Sequence, residues 1–332
     1  MRSRNGKLLA ACVVLCLVAG GGYVAFAALG SDTTTTDARP LASEALDRAD
    51  LMVRAVDPAN PRLNGRVYTI HGGRIERRGE LACERVYFAG GRGLCLALAP
   101  SGVEYDATVF DSRLRSLHEI PLTGLPSRAR VSADGRYGAM TVFVTGDSYL
   151  ESPTAFSTRT TIVEMASGRQ LGQLEQFEVN KDGEPLDAVD FNFWGVTFAK
   201  DPNRFYANLG TGGEHYLVEG DVRARTMRVL RGGVECPSLS PDNRRIAYKS
   251  RIGDEDRWRL RVLDVDTLAD HAVAEPRSID DQVEWLDDDT LAYSDGTDVY
   301  TVPANGSGEA KLLVRNATSP ARLDAPLSAA AG

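Results

Sequence analysis

Beyond about residue 50 the chain is a succession of short apolar runs. Arg85–Ala89 (RVYFA), Leu94–Leu98 (LCLAL), Thr160–Glu164 (TTIVE), Ile246–Tyr248, Arg259–Leu263 (RLRVL) and Val299–Val302 are rich in Val, Ile, Leu, Tyr and Phe. Gly, Asp, Asn, Ser or Pro follows each of them within three residues. Runs of this length between tight-turn residues predict β-strands. No apolar stripe of helical period extends over 12 or more residues in this region. A short helix is expected only around Ala42–Asp50.

One turn recurs between pairs of runs. It appears as Gly90-Gly91-Arg92-Gly93, Ala133-Asp134-Gly135-Arg136, Lys200-Asp201-Pro202-Asn203, Pro241-Asp242-Asn243-Arg244 and Asp287-Asp288-Asp289. Counted from Gly91 through Asp134, Asp201, Asp242 and Asp288, the intervals are 43, 67, 41 and 46 residues. Three of them match the roughly 40–50 residues of a propeller blade. The long one brackets Thr145–Thr158 and Phe177–Val189, which read as two loop insertions. Five units fall at about 83–125, 126–176, 190–232, 233–276 and 277–316. A weaker sixth, at about 42–80, rests on Leu51–Val56, Arg66–Ile70 and Arg74–Arg78. Each unit has room for four strands, the content of one blade. The expectation is an all-β, six-bladed β-propeller over 42–316, with 317–332 (ATSPARLDAPLSAAAG) as a flexible tail. The competing architecture is a β-sandwich.

The stretch Cys236–Arg251, CPSLSPDNRRIAYKSR, resembles the repeat of TolB-like propellers, also called WD40-like or PD40 repeats. Val131-Ser132-Ala133-Asp134-Gly135-Arg136 is a second match. Trp285–Tyr293 and Phe198–Asn203 are weaker ones. The resemblance covers roughly 50–316. It implies a six-bladed propeller outside the cytoplasmic membrane that binds other proteins. The chain departs from the family in keeping only two close repeats and in showing no separate N-terminal domain of the kind TolB carries. Asp134 and Asp242 read as structural turn residues, because Asp in such a turn can accept hydrogen bonds from its own backbone.

The N-terminus has a different character. Arg2, Arg4 and Lys7 precede Leu8–Leu29, 22 residues without a charge. At about 1.5 Å per residue that run is long enough for a hydrocarbon core of roughly 30 Å. The basic flank should stay inside and the remainder outside. Residues 1–30 are therefore read as a cytoplasmic stub and transmembrane signal anchor, and 31–41 as a polar linker. The alternative is a secreted protein, with residues 1–27 removed as a signal peptide after Ala25-Phe26-Ala27.

Composition narrows the partners. Without the three basic residues of the N-terminus, 35 basic residues face 46 acidic ones, about −11. Such a surface does not displace counterions from phosphates, so nucleic acid is excluded as a partner. In an oxidising compartment Cys83 and Cys95, which flank the hairpin-like ERVYFAGGRGL, are expected to form a disulfide. Cys236 is then left over as a small buried residue.

Catalytic signatures are missing from the sequence. No G-x-S-x-G occurs, and His71, His118, His215 and His271 fall in different units without paired spacing. Asp254-Glu255-Asp256, Asp280-Asp281 and Asp287-Asp288-Asp289 lack the alternating spacing of a calcium loop. Neither a metal nor a cofactor is expected.

In a four-stranded meander the large insertions and the acidic loop share one end of the ring. Loops on a rigid scaffold concentrate binding residues. Tyr149, Glu151, Phe156, Phe177, Glu178, Asp182, Asp254, Glu255 and Asp256 are accordingly the candidate contacts for a partner. The expected function is a non-catalytic scaffold or sensor that binds an envelope or secreted protein. The alternative is recognition of a glycan or small molecule in the channel, with hydrolase or lyase activity as its extension.

Overall fold

The computed structural model describes residues 50–71, 74–144, 157–253 and 256–323, and of 74–80 the backbone alone. The apolar run, the linker and nearly all of the expected helix at 42–50 lie outside the described residues. Among the described residues no helix is long and apolar enough to cross a membrane.

The first three strands are β1 (Leu51–Ala55), β2 (Arg66–His71) and β3 (Arg74–Ala82). The next four are β4 (Arg85–Ala89), β5 (Arg92–Leu98), β6 (Tyr105–Asp111) and β7 (Ser116–Leu122). Then come β8 (Leu125–Val131), β9 (Tyr137–Val144), β10 (Ser157–Glu164) and β11 (Arg169–Gln173). A hairpin, β12 (Glu178–Lys181) and β13 (Glu184–Leu186), precedes β14 (Asn192–Phe198), β15 (Arg204–Thr211), β16 (Glu214–Asp221) and β17 (Thr226–Gly232). The fifth set is β18 (Glu235–Leu239), β19 (Arg245–Arg251), β20 (Trp258–Asp264) and β21 (Asp270–Ala272). The sixth is β22 (Glu284–Trp285), β23 (Thr290–Asp295), β24 (Asp298–Pro303) and β25 (Lys311–Val314), and β26 (Ala317–Arg322) comes last.

These strands form six sheets, the blades of a six-bladed β-propeller. Four blades are consecutive antiparallel meanders, and the fourth blade contains one in β14–β17. The remaining sheet has the order β26-β1-β2-β3, so the last strand supplies the innermost position of the first blade and closes the ring. The reading of 317–332 as a loose tail is therefore corrected for 317–322. Ala317 and Ala321 are buried where the inner strands crowd together. Pro320 is tolerated because an innermost strand has a ladder neighbour on one side only.

Phe177–Val189 is also corrected. It is not a plain loop insertion. Asp182 and Gly183, both at positive φ, turn β12 into β13. β12 then pairs in parallel with β17, widening the fourth blade to six strands.

Strand alternation explains the core. Side chains on one face of a blade meet the preceding blade, and those on the other face meet the next. On β19, Ile246 and Tyr248 join a cluster with Tyr206 and Leu217, whereas Ala247 joins Trp285 and Tyr293. On β5, Leu94 and Leu96 join Val131 and Met140, whereas Cys95 joins Met52 and Ala321. Among the described residues each of the six blade junctions holds one such apolar cluster. In the junction of blades one and two, Cys83 and Cys95 form a disulfide with Cα atoms 5.4 Å apart. Cys236 is a buried free thiol.

The recurring turn lies between the first and second strands of a blade. Ser132 Oγ–H donates to Asp134 Oδ1 (2.7 Å), which also accepts the Arg136 N–H (3.0 Å). Ser240 and Arg244 make the same pair of bonds to Asp242, at 2.5 and 3.0 Å.

Candidate functional site: the axial channel and its crossing face

Strand direction sorts the loops. First-to-second and third-to-fourth turns leave one end of the ring, here the turn face. Second-to-third loops and blade-to-blade connections leave the other, the crossing face. The innermost strands β4, β8, β14, β18, β22 and β26 start at the crossing face and line the channel.

Period two along β8 sends Ser127 one way and its neighbours Arg128 and Arg130 to the channel wall. Arg130 (6% exposed) forms a buried ion pair with Glu284 (5% exposed). Tyr87 OH donates to both Glu284 oxygens, at 3.0 and 3.2 Å, and the Arg322 backbone N–H donates at 3.1 Å. The Arg130 guanidinium lies 4.5 Å from the Tyr87 ring centroid and also donates to Val283 O at 3.2 Å. Burial pushes the Glu284 carboxyl up, and Arg130 with the other donors pulls against it. Burial and the Glu284 charge raise the Tyr87 phenol far above its ordinary value, so it remains a donor.

This triad separates two cavities, since Tyr87 and Arg130 border both. The turn-face cavity, about 280 Å³, is lined by Phe198, Lys200, Ser238 and Trp285 among others. The crossing-face cavity, about 370 Å³, opens among Arg54, Arg85, Arg128, Asp280, Asp281 and Gln282.

The crossing-face mouth is held by backbone acceptors. Arg54 Nε–H donates to Cys83 O (2.7 Å), and Arg85 donates to Ser127 O (2.6 Å) and Glu84 O (2.8 Å). Arg128 donates to Ser127 O at 3.0 Å and faces the Cys236 sulfur at 3.8 Å. Burial, and next the Arg128 charge, lower the Arg85 pKa from its ordinary value. On the opposite wall Asp281 accepts the Gln282 and Ser294 N–H groups at 2.8 and 2.9 Å. Asp280 is ion-paired with Lys249. Lys249 also stands 3.6 Å from Glu235, which His215 Nδ1 meets at 2.9 Å and Trp258 Nε1–H at 3.3 Å. Burial opposes the Glu235 charge, yet the His215 bond and Lys249 hold its carboxyl below the usual range.

The crossing face is also the apolar face. Among the described residues the exposed large apolar side chains are Leu98, Val103, Leu117, Leu125, Phe143, Val189, Ile252, Leu312 and Leu313. Leu117, Leu312 and Leu313 lie on outermost strands β7 and β25. The other six all lie at the crossing face, on loops or the strand ends that feed them.

The sequence-predicted contacts fare unevenly. Tyr149, Glu151, Phe156, Asp254 and Glu255 lie outside the described residues. Phe177 as a partner contact is corrected: it is 4% exposed and packs edge-on to Phe205, centroids 6.4 Å apart, with the Arg225 guanidinium over its ring. Glu178 and Asp182 are exposed on the β12–β13 hairpin, at the rim of the fourth blade and away from the channel. Asp256 is exposed at the crossing face, 3.4 Å from Arg251. Sequence reasoning missed Tyr87, Arg85, Arg128, Arg130, Lys249, His215, Glu235 and Glu284. The available signal was charge inside the first strand of a unit, as in Ser127-Arg128-Ala129-Arg130. Among the described residues no cluster of three potential metal ligands occurs.

No family model and no curated protein matches the sequence. The fold is similar to that of TolB from Acinetobacter baumannii, with TM-score 0.57 and 13% identity over 83% of this chain and 67% of that one. A chain of the nidogen/laminin complex gives TM-score 0.55 and 10% identity, covering 83% of this chain and 99% of that one. Putative TolB from Agrobacterium tumefaciens gives TM-score 0.49 and 11% identity over 82% and 91%. At these identities the likeness to the first two shows the fold alone.

Proposed function

We propose that the chain is a membrane-tethered, extracytoplasmic propeller that binds a protein partner with its crossing face and carries out no chemistry itself. The observation that carries this is the segregation of exposed apolar side chains. Leu98, Val103, Leu125, Phe143, Val189 and Ile252 share one end of the ring, and that end also holds the basic mouth of the channel. Exposed apolar residues gathered on one surface are characteristic of an interaction site. The uncharged run Leu8–Leu29 supports the tether, and the Cys83–Cys95 disulfide suits an oxidising compartment. TolB and the nidogen/laminin complex share the architecture, and the latter is a protein–protein complex by its description. A second use, recognition of a small ligand, is favoured by the polar cavity of about 370 Å³ at the same mouth.

The test is site-specific photo-crosslinking in cells, with the crosslinker placed in turn at Leu98, Val103 and Ile252, and at Lys200 on the turn face. One envelope protein captured from the first three positions but not from Lys200 is the expected result. Equal capture from both faces, or none from either, would refute a crossing-face partner.

A further inference from the structure

We infer that the crossing-face mouth of the channel binds a carboxylate, held by Arg85 and Arg128. This rests on the crossing-face reading above and gives the chemistry of what enters there. In a chain of net charge −8, two guanidinium groups stand beside one cavity without a carboxylate within ion-pair distance among the described residues. Arg85 spends two N–H groups on main-chain carbonyls, and Arg128 spends one. The other Arg128 contact is to the Cys236 sulfur, a weak acceptor. Its Nε–H is buried and has no partner among the described residues. A buried cation with an unmet donor is costly, and an anion in the cavity offsets that cost by placing counter-charge beside the guanidinium.

The nearby acids do not fill this role. Asp281 is turned to the Gln282 and Ser294 N–H groups, Asp280 to Lys249, and Glu84 to Arg54. Asp281 acts on Arg85 and Arg128, and Asp280 on Arg128, only through space, so among the described residues the Arg85–Arg128 pair has no direct carboxylate contact. A guanidinium fork matches a planar carboxylate with two parallel hydrogen bonds. Asp280 and Asp281 stand across the cavity, and their charges penalise each additional negative charge on the ligand. That favours a carboxylate over a phosphate dianion. The exposed apolar side chains on the same face suit a carboxylate carried on a partly apolar segment, such as an acidic side chain or a C-terminus of a protein partner.

The test uses the purified full-length chain in detergent, followed by thermal unfolding with propanoate, inorganic phosphate or chloride at matched ionic strength. A saturable rise in melting temperature with propanoate, larger than with phosphate, is expected. Arg128→Gln should weaken the response about tenfold to a hundredfold, the contribution of one charge-assisted hydrogen bond. Arg128→Lys, which keeps the charge without the fork, should retain part of it. Arg113→Gln, in an exposed turn, should change nothing. A response that depends on ionic strength alone, that is equal for phosphate, or that survives Arg85→Gln/Arg128→Gln overturns the assignment. An end-capped peptide with Glu residues, compared with its Gln counterpart, separates the sources. Tighter binding than propanoate identifies a protein segment, and binding no tighter identifies a free small carboxylate. Because no partner is added, this experiment can fail while crossing-face crosslinking succeeds, and the reverse.

Discussion

Replacing Glu284 by Gln isolates the polar triad at the centre of the ring. Gln keeps the volume but removes the charge and puts an NH₂ donor where Arg130, Tyr87 and the Arg322 N–H all donate. Arg130, 6% exposed, is left as a buried cation without a counter-charge. Breaking such a pair from one side costs about 3–5 kcal/mol. At about 2–4 °C per kcal/mol for a domain of this size, the melting temperature should fall by about 6–20 °C. Thermal unfolding followed by tryptophan fluorescence reads this out, since Trp285 adjoins Glu284 in β22 and its Nε1–H donates to Ser238 O (2.8 Å). Removing both charges in Arg130→Met/Glu284→Leu should recover most of the loss, because apolar replacement of a buried pair is often neutral or better. A Glu284→Gln protein melting within about 1 °C of the parent, or a double variant less stable than the single one, would refute the reasoning.

Gly93→Ala should destabilise by about 1–3 kcal/mol, because a Cβ there would sit 2.0 Å from the Phe110 ring on the neighbouring strand; urea titration reads it as a lowered midpoint with unchanged slope. Burial pushes the Glu175 carboxyl up to about 8, against an ordinary 4.5, although it accepts the Thr160 N–H. The folded chain therefore holds a proton that the unfolded chain releases, so stability is greatest at the acid end of that window and falls as pH rises through it. Glu175→Gln should flatten melting temperature against pH between about 4.5 and 8 and should make the protein more stable than the parent at pH 8. Reducing the Cys83–Cys95 bond should cost at most roughly 3 kcal/mol for so short a loop, a loss that Cys83→Ser/Cys95→Ser should reproduce in the absence of reductant.

Most of the architecture was legible because a blade is a local object. Its four strands are nearly consecutive, and the Ser-x-Asp turn satisfies its own donors, so both leave a periodic trace. The first blade was incomplete in the sequence because its missing strand is held some 260 residues away, and closure follows from hydrogen bonding between β26 and β1. Ala, Ser and Pro made that strand look like a tail, whereas small side chains are what the axis accommodates. The β12–β13 hairpin had a readable signal, Lys181-Asp182-Gly183-Glu184, since Asp-Gly favours the positive φ angles of a two-residue turn. The parallel pairing with β17 had none. Loop topology expected Arg251–Arg257 between the second and third strands of its blade, where β19 and β20 place it. The channel residues were hidden because Arg130 and Glu284, or Lys249 and Glu235, meet only when different blades converge. Phe177 was misjudged because an aromatic residue in an irregular stretch reads the same whether it faces solvent or a neighbouring blade.

Ring closure sets an order of events during synthesis. β1 is made first among the blades, yet its ladder partner on the axial side begins only at Ala317. At about 5–20 residues per second, roughly 13–50 s separate the two. Throughout that interval Leu51–Ala55 presents an open, mostly apolar edge that the nascent chain cannot yet cover. A crowded population of half-made chains thus contains both an unfilled slot and, slightly later, a strand able to enter the slot of a neighbour. Exchange of β26 between two copies would give a dimer in which every blade is intact, and its yield would rise with expression rate even though the folded rings have no affinity for one another.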